Sequence, residues 1–157
     1  FPLKEYLQET VYTLKPNLKR YQVAVLIECP DNISLNSFPG AYSQVITNLI
    51  MNSLNHAYNP EDKGTIRIKV EAKGKVIQIR FSDDGRGMSE QIQKQVFDPF
   101  FTTKRGKGGT GLGMHIIYNL VTHKLEGSIE VTSQENVGTT FTITLPIELS
   151  APAAKAS

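Results

Sequence analysis

Cysteine is all but absent from this chain: Cys29 is the one example in 157 residues. A disulfide framework and a cysteine-rich metal site are therefore excluded, and a reducing compartment is the expected setting. No apolar run approaches the length of a membrane span, and nothing reads as a signal peptide. An excess of one charge is missing too. With 17 Lys and Arg against 15 Asp and Glu, the formal net charge is +2, too small to draw the chain to nucleic acid or lipid. What remains, 39% hydrophobic and 20% charged residues, is the balance of one soluble globular domain, long enough to bury a core without disulfide or metal staples.

The most telling absence is local. From Ala41 to Ala57 there is no Lys, Arg, Asp or Glu, although Val45, Ile46, Leu49, Ile50, Leu54 and Ala57 recur at helical spacing and Pro39 suits a first helical turn. A surface helix normally shows charge to water, so both faces of this one are expected to be covered. At about 100° per residue, Gln44, Asn48, Asn52 and Asn55 form one stripe opposite Ile46, Ile50 and Ala57. Asparagine is a poor helix former. The stripe is either a solvated polar face or a wall of amide oxygens turned toward a ligand. Amide carbonyls are hard donors suited to Mg²⁺, which is usually shared with substrate phosphates, and this makes Asn52 and Asn48 the metal candidates.

Elsewhere the periodicities change. Leu3, Tyr6, Leu7, Val11 and Leu14 predict a leading helix that stops at Pro16. "YQVAVLIE", residues 21–28, reads as a buried strand. "TIRIKVEA" and "KVIQIRFS" alternate around Lys73-Gly74 as an antiparallel hairpin. A short helix is expected near residues 89–96 with Ser89 as N-cap, and another over 113–123. "GSIEVTS" from Gly127 and "GTTFTITLPI" from Gly138 add two strands. The sum is about five strands, mostly antiparallel, with three main helices on one face: an α+β two-layer sandwich. The tail, residues 150–157, has the composition of a disordered end and is set apart from the fold.

Two loops carry chemistry. In "FSDDGRGM", Asp83 stands at the end of an apolar strand, with Gly85 and Gly87 in the turn that follows. The stretch is either a simple acidic turn or a partly buried carboxylate wanting hydrogen-bond donors. The exocyclic amine of a purine is such a donor, and the glycines would let its ring approach the backbone. The second loop, "RGKGGTGLGMHI", puts five glycines into eight positions beside Lys104, Arg105 and Lys107. It contains GxGxxG at Gly106, Gly108 and Gly111, but "FDPFFTTKR" before it is no strand, as a dinucleotide-binding turn requires, and no Gly-Lys-Ser/Thr closes a Walker-type loop. A basic loop leading into a helix remains, able to take phosphate oxygens on its amides and side chains.

In order along the chain stand "NLIMNSLNHA", "DDGRGM", "FDPFFTTK", "GGTGLGM" and "GTTF". Together they resemble the N box, first glycine box, F box, second glycine box and final Gly-Thr-x-Phe of sensor histidine kinase catalytic domains, in the gyrase, Hsp90, histidine kinase and MutL superfamily. The resemblance covers roughly residues 37–146 and implies a Bergerat-type sandwich that binds ATP and Mg²⁺. It puts the adenine-reading aspartate on Asp83 with Thr139 assisting, and the Mg²⁺-binding asparagine on Asn52 with Asn48 as the second N-box residue. Gly85, Gly87 and Met88 fall on the base-side turn. Gly109, Thr110, Gly111, Leu112 and Gly113 fall on the lid and phosphate turn. Phe97, Phe100 and Phe101 fall on the F box, with Thr102, Thr103, Lys104 and Arg105 following as nucleotide contacts; ordinary core packing is the competing role for the phenylalanines. Two positions depart from the pattern. Asn55 stands where many relatives carry a phosphate-binding lysine, leaving that work to Lys104, Arg105 or Lys107. His56 replaces an aromatic or basic residue and either touches the nucleotide or packs.

Hydrolysing relatives place a glutamate at the position of Asn48 to activate water. An amide is no base, so the resemblance implies a kinase that presents the γ-phosphoryl group to another nucleophile, with Asn48 and Lys104 as its catalytic residues. The alternatives are an anti-sigma-factor-like serine kinase, another ATPase of the superfamily and a non-enzymatic interaction module that no longer binds ATP. His56, His115 and His123 lack the His-Glu context of an acceptor. The implied partners are therefore a dimerisation and histidine-phosphotransfer domain, to which residues 1–20 would be the end of a linker helix, and a response regulator receiver domain. Residues 21–149 would form the ATP-binding domain. Nucleic acid and direct membrane contact are not expected. The expected location is cytoplasmic, with any membrane anchor in other segments of a longer kinase.

Overall fold

The computed structural model describes residues 1–59, 61–99 and 113–150. In chain order its elements are α1 (Leu3–Thr13), α2 (Lys15–Tyr21), β1 (Val23–Glu28), α3 (Pro39–His56), β2 (Gly64–Lys73), β3 (Val76–Asp83), α4 (Glu90–Gln95), α5 (Gly113–Asn119), β4 (Ser128–Gln134) and β5 (Gly138–Pro146). A π-helical turn, Leu120–Lys124, continues α5.

Alternation in the strands decides the layers. Ile66, Ile68 and Val70 of β2, Ile77, Ile79 and Phe81 of β3, and Phe141, Ile143 and Leu145 of β5 are all buried, whereas Arg67, Lys69 and Arg80 between them are exposed. Side chains on a strand point alternately to opposite faces. One face of the sheet thus packs under the helices, and each such aliphatic or aromatic residue contributes about 1.5–3 kcal/mol through burial. The strand order is β1-β2-β3-β5-β4. β2 and β3 form the expected hairpin, with Gly74 (φ +65°) in its two-residue turn. β3 and β4 both pair antiparallel with β5. The edge pair β1 and β2 is parallel, because α3 lies between them and supplies the crossover that a parallel pair needs. The sandwich expected from the sequence is the one observed, a mixed, mostly antiparallel sheet.

α3 begins with proline in its first turn and buries Ala41, Tyr42, Val45, Ile46, Leu49, Ile50, Ser53 and Leu54. It packs between α1 and α5 and shares one core with the sheet strands, which accounts for its lack of charge. One expectation differs from the structure. Pro16 does not end the helical region: it sits in the first turn of a second helix, α2, where its missing N–H is harmless. Leu3, Leu7, Leu14 and Leu18 of these two helices are buried in the same core as the sheet.

Candidate functional site

Asp83 ends β3 opposite Thr139, the second residue of β5. The carboxylate is held from three sides. Gly85 N–H donates to Oδ1 at 2.9 Å, Ser53 Oγ donates to Oδ2 at 3.2 Å, and the backbone of Thr139 adds a further bond. Burial nonetheless outweighs these donors and pushes the Asp83 carboxyl above the usual carboxylate range. The next residue has another task. Asp84 Oδ1 accepts from Tyr58 Oη at 2.8 Å and Thr65 N–H at 2.9 Å, tying the end of α3 to β2. The two adjacent acids are therefore divided, one facing a pocket and one bracing the frame.

That pocket, of about 40 Å³, is lined by Asn52, Ser53, His56, Ala57, Asp83, Gly87, Met88, Thr139 and Phe141. A neighbouring cleft of about 310 Å³ shares Asn52, His56, Gly87 and Met88 and extends along Arg86, Ile92 and Val96. The cleft, with the narrow pocket at its side, reaches the size range of small-molecule sites. The polar groups on their walls are the Asn52 amide, the His56 imidazole, the Asp83 carboxylate, the Ser53 and Thr139 hydroxyls and the Arg86 guanidinium.

The turn after β3 is shaped by close packing. A Cβ on Gly85 would meet the carbonyl of Ala57, and Arg86 N–H bonds that carbonyl at 2.8 Å. Gly87 takes φ +68° with its Cα against the carbonyl of Gln134, a position closed to any side chain. These glycines admit protein backbone, and Gly87 alone of the two lines the pocket. Met88 is fixed by its N–H to Ser133 Oγ at 2.8 Å, and Gln93 on α4 donates to the carbonyls of Met88 and Ser133, both at 3.1 Å. Ser89 caps α4 through Ile92 N–H, as expected.

The structure thus brings together Asn52, His56, Asp83, Gly87, Met88 and Thr139 of the residues singled out in the sequence. Asn48 lies one turn earlier on α3, half-buried, and Asn55 is exposed; both are outside these two walls. Phe97 packs behind the pocket, its ring 5.3 Å from Tyr118 and 6.3 Å from Phe141, and His115 Nδ1 lies 3.3 Å from the Phe97 carbonyl. Gly113 opens α5. Phe100, Phe101, Thr102, Thr103, Lys104, Arg105, Lys107, Gly109, Thr110, Gly111, Leu112 and residues 151–157 of the tail lie outside the described residues. Sequence reasoning missed Ser53, Gln93 and Ser133. For Ser53 a signal existed: it continues the buried series Val45, Ile46, Leu49, Ile50 as a polar residue, and a buried hydroxyl needs a partner. Gln93 and Ser133 act only through tertiary contacts and carried no such signal.

Residues 39–149 match the family described as histidine kinase-, DNA gyrase B-, and HSP90-like ATPase. Sensor histidine kinase ZraS of Escherichia coli (strain K12) is 34% identical over 71% of this chain and 23% of its own length. Sensor histidine kinase RcsC of the same strain is 31% identical over 94% of this chain and 16% of its own length. Sensor protein EvgS of Escherichia coli O157:H7 is 32% identical over 76% of this chain and 10% of its own length. The chain therefore spans less than a quarter of each of these relatives. Among solved structures, the nucleotide-free catalytic domain of histidine kinase ThkA has a TM-score of 0.82 at 24% identity, covering 94% of both chains; it shares the fold.

Proposed function

Because the chain belongs to the histidine kinase-, DNA gyrase B-, and HSP90-like ATPase family and matches sensor histidine kinases, we propose that it is the ATP-binding catalytic domain of a two-component sensor histidine kinase. It presents the γ-phosphoryl group to a histidine on a separate helical dimerisation and phosphotransfer domain, from which the group passes to a response regulator receiver domain. The observation that carries this reading is the half-buried Asp83 carboxylate, fixed by three donors at the wall of a pocket that also holds Asn52 and Thr139. Asp83 accepts from the exocyclic amine of adenine, Thr139 supports that contact, and Met88 and Gly87 border the base.

Among the described residues no group of three or more His, Cys, Asp or Glu could hold a metal. A divalent cation fits only if phosphate oxygens complete its shell, as Mg²⁺ prefers. Asn52, with Asn48 one turn earlier, would hold it, and when bound it supplies charge neutralisation on the phosphates. Lys104, Arg105 and Lys107 are assigned to the same role by sequence position, with Lys104 and Asn48 as the catalytic residues.

The chemistry asked of the protein is positioning. In the transfer, the bond from the γ-phosphorus to the β,γ-bridging oxygen breaks, an imidazole nitrogen of the acceptor forms the new P–N bond, and ADP leaves. An amide at position 48 takes no proton from water, which keeps the group for that external nucleophile. Calorimetric titration with Mg·ATP tests the pocket, and incubation with radiolabelled ATP and a separately supplied phosphotransfer domain tests the transfer. Absence of ATP binding would overturn the reading, and phosphate release without labelled acceptor would favour hydrolysis instead.

A further inference from the structure

Thr139 is 6% exposed and lines the pocket beside Asp83. Which way its hydroxyl proton points decides what that wall offers a ligand, and Ser133 decides the proton. Ser133 lies opposite Thr139 across the β4–β5 pair, and its Oγ has three neighbours: Met88 N–H at 2.8 Å, the Gly138 carbonyl at 2.9 Å and Thr139 Oγ1 at 2.8 Å. A hydroxyl has one proton and two lone pairs. The Met88 amide only donates, so it occupies one lone pair. The Gly138 carbonyl only accepts, so it takes the Ser133 proton. Thr139 is left to donate its own proton into the remaining lone pair. Gln93 holds the arrangement in place by bonding the carbonyls of both Ser133 and Met88.

We propose that Ser133 is a specificity-determining residue that consumes the Thr139 proton, leaving Thr139 with only lone pairs toward the pocket. With the Asp83 carboxylate next to it, the base side of the site then accepts hydrogen bonds and donates none from these two side chains. Such a wall favours a 6-amino purine, or a water bridging to one, and disfavours a 6-oxo purine, whose oxygen finds no donor. Ser133 itself acts through Thr139 and is not a catalytic residue. The inference rests on the reading of the pocket as the adenine site.

The test is the ratio of dissociation constants for ITP and ATP, measured by calorimetry on the wild-type chain, Ser133→Ala and Ser133→Thr. The wild type prefers ATP. Ser133→Ala frees the Thr139 proton and narrows the ratio by roughly tenfold, about the worth of one hydrogen bond, while Ser133→Thr keeps the hydroxyl and restores it. A folded Ser133→Ala protein that loses affinity for both triphosphates alike, or keeps the wild-type ratio, overturns the proposal. Should Ser133→Ala fail to fold, Thr139→Val decides: loss of an acceptor weakens ATP more than ITP, and an equal or opposite effect overturns it. A wild type that binds neither triphosphate would instead bring down the nucleotide-site reading itself.

Discussion

Ser53 Oγ donates to Asp83 Oδ2 at 3.2 Å from a side chain that is 1% exposed on α3. The helix and the strand end that together wall the pocket are thereby joined through a group on which ligand recognition is proposed to depend. Ser53→Ala removes a donor from a carboxylate whose remaining partners are backbone groups. The expected cost is about 1–3 kcal/mol in denaturant unfolding at neutral pH. It shrinks in acid, where the protonated Asp83 no longer needs that donor, so comparing unfolding curves at the two pH values checks the assignment.

Asp83→Asn separates stability from binding. Burial raises the Asp83 pKa in the folded protein, so the unfolded chain ionises first as pH rises. This group's contribution is favourable below its unfolded pKa and is lost as pH climbs through the folded pKa. At neutral pH the charged form burdens the fold. Asparagine removes that burden, and the Ser53 hydroxyl can turn to accept from the new amide. The melting temperature of the nucleotide-free protein is expected to rise while ATP affinity collapses; a calorimetric scan and a titration on the same sample measure both.

The same group sets a pH dependence for the ligand. An exocyclic amine is held more strongly by an ionised acceptor than by a protonated carboxyl, so ATP affinity should fall as pH drops through the raised Asp83 pKa, earlier than an ordinary carboxylate would require. Titrations across a pH series read this directly. Correction for protonation of the ATP phosphates comes from a titration of Mg·ATP without protein over the same pH series.

Tyr58→Phe addresses the frame. The phenol donates to Asp84 Oδ1 at 2.8 Å and is buried beneath the start of β2, its ring against Gly64. Burial and the neighbouring Asp84 raise its pKa, so it stays a protonated donor. Losing this bond to a charged acceptor should cost about 1.5–3 kcal/mol in unfolding experiments, yet leave ATP affinity of the folded protein within about twofold, because neither group lines the pocket.

The sequence by itself determined the layers, the hairpin and most of the pocket's side chains. Period-two alternation in β2, β3 and β5 has one solution when one face is buried. A helix without charge, carrying a stripe of asparagines, had to be covered on more than one side. Asn52 and Asp83 could be read because each residue type is poorly suited to its position unless it meets a partner, whereas Thr139, an ordinary strand residue, was implied only by the family resemblance of "GTTF". Contacts across elements could not be read this way. Whether a glycine admits a ligand or a neighbouring carbonyl, as Gly85 and Gly87 do, depends on which backbone arrives beside it. The parallel edge of β1 follows from the path of α3. The division of labour between Asp83 and Asp84 was settled by where Ser53 and Tyr58 came to lie, and the proton order through Ser133 by the meeting of three chain segments. Local propensity has no term for such meetings; they exist only once the sheet has closed with β5 between β3 and β4.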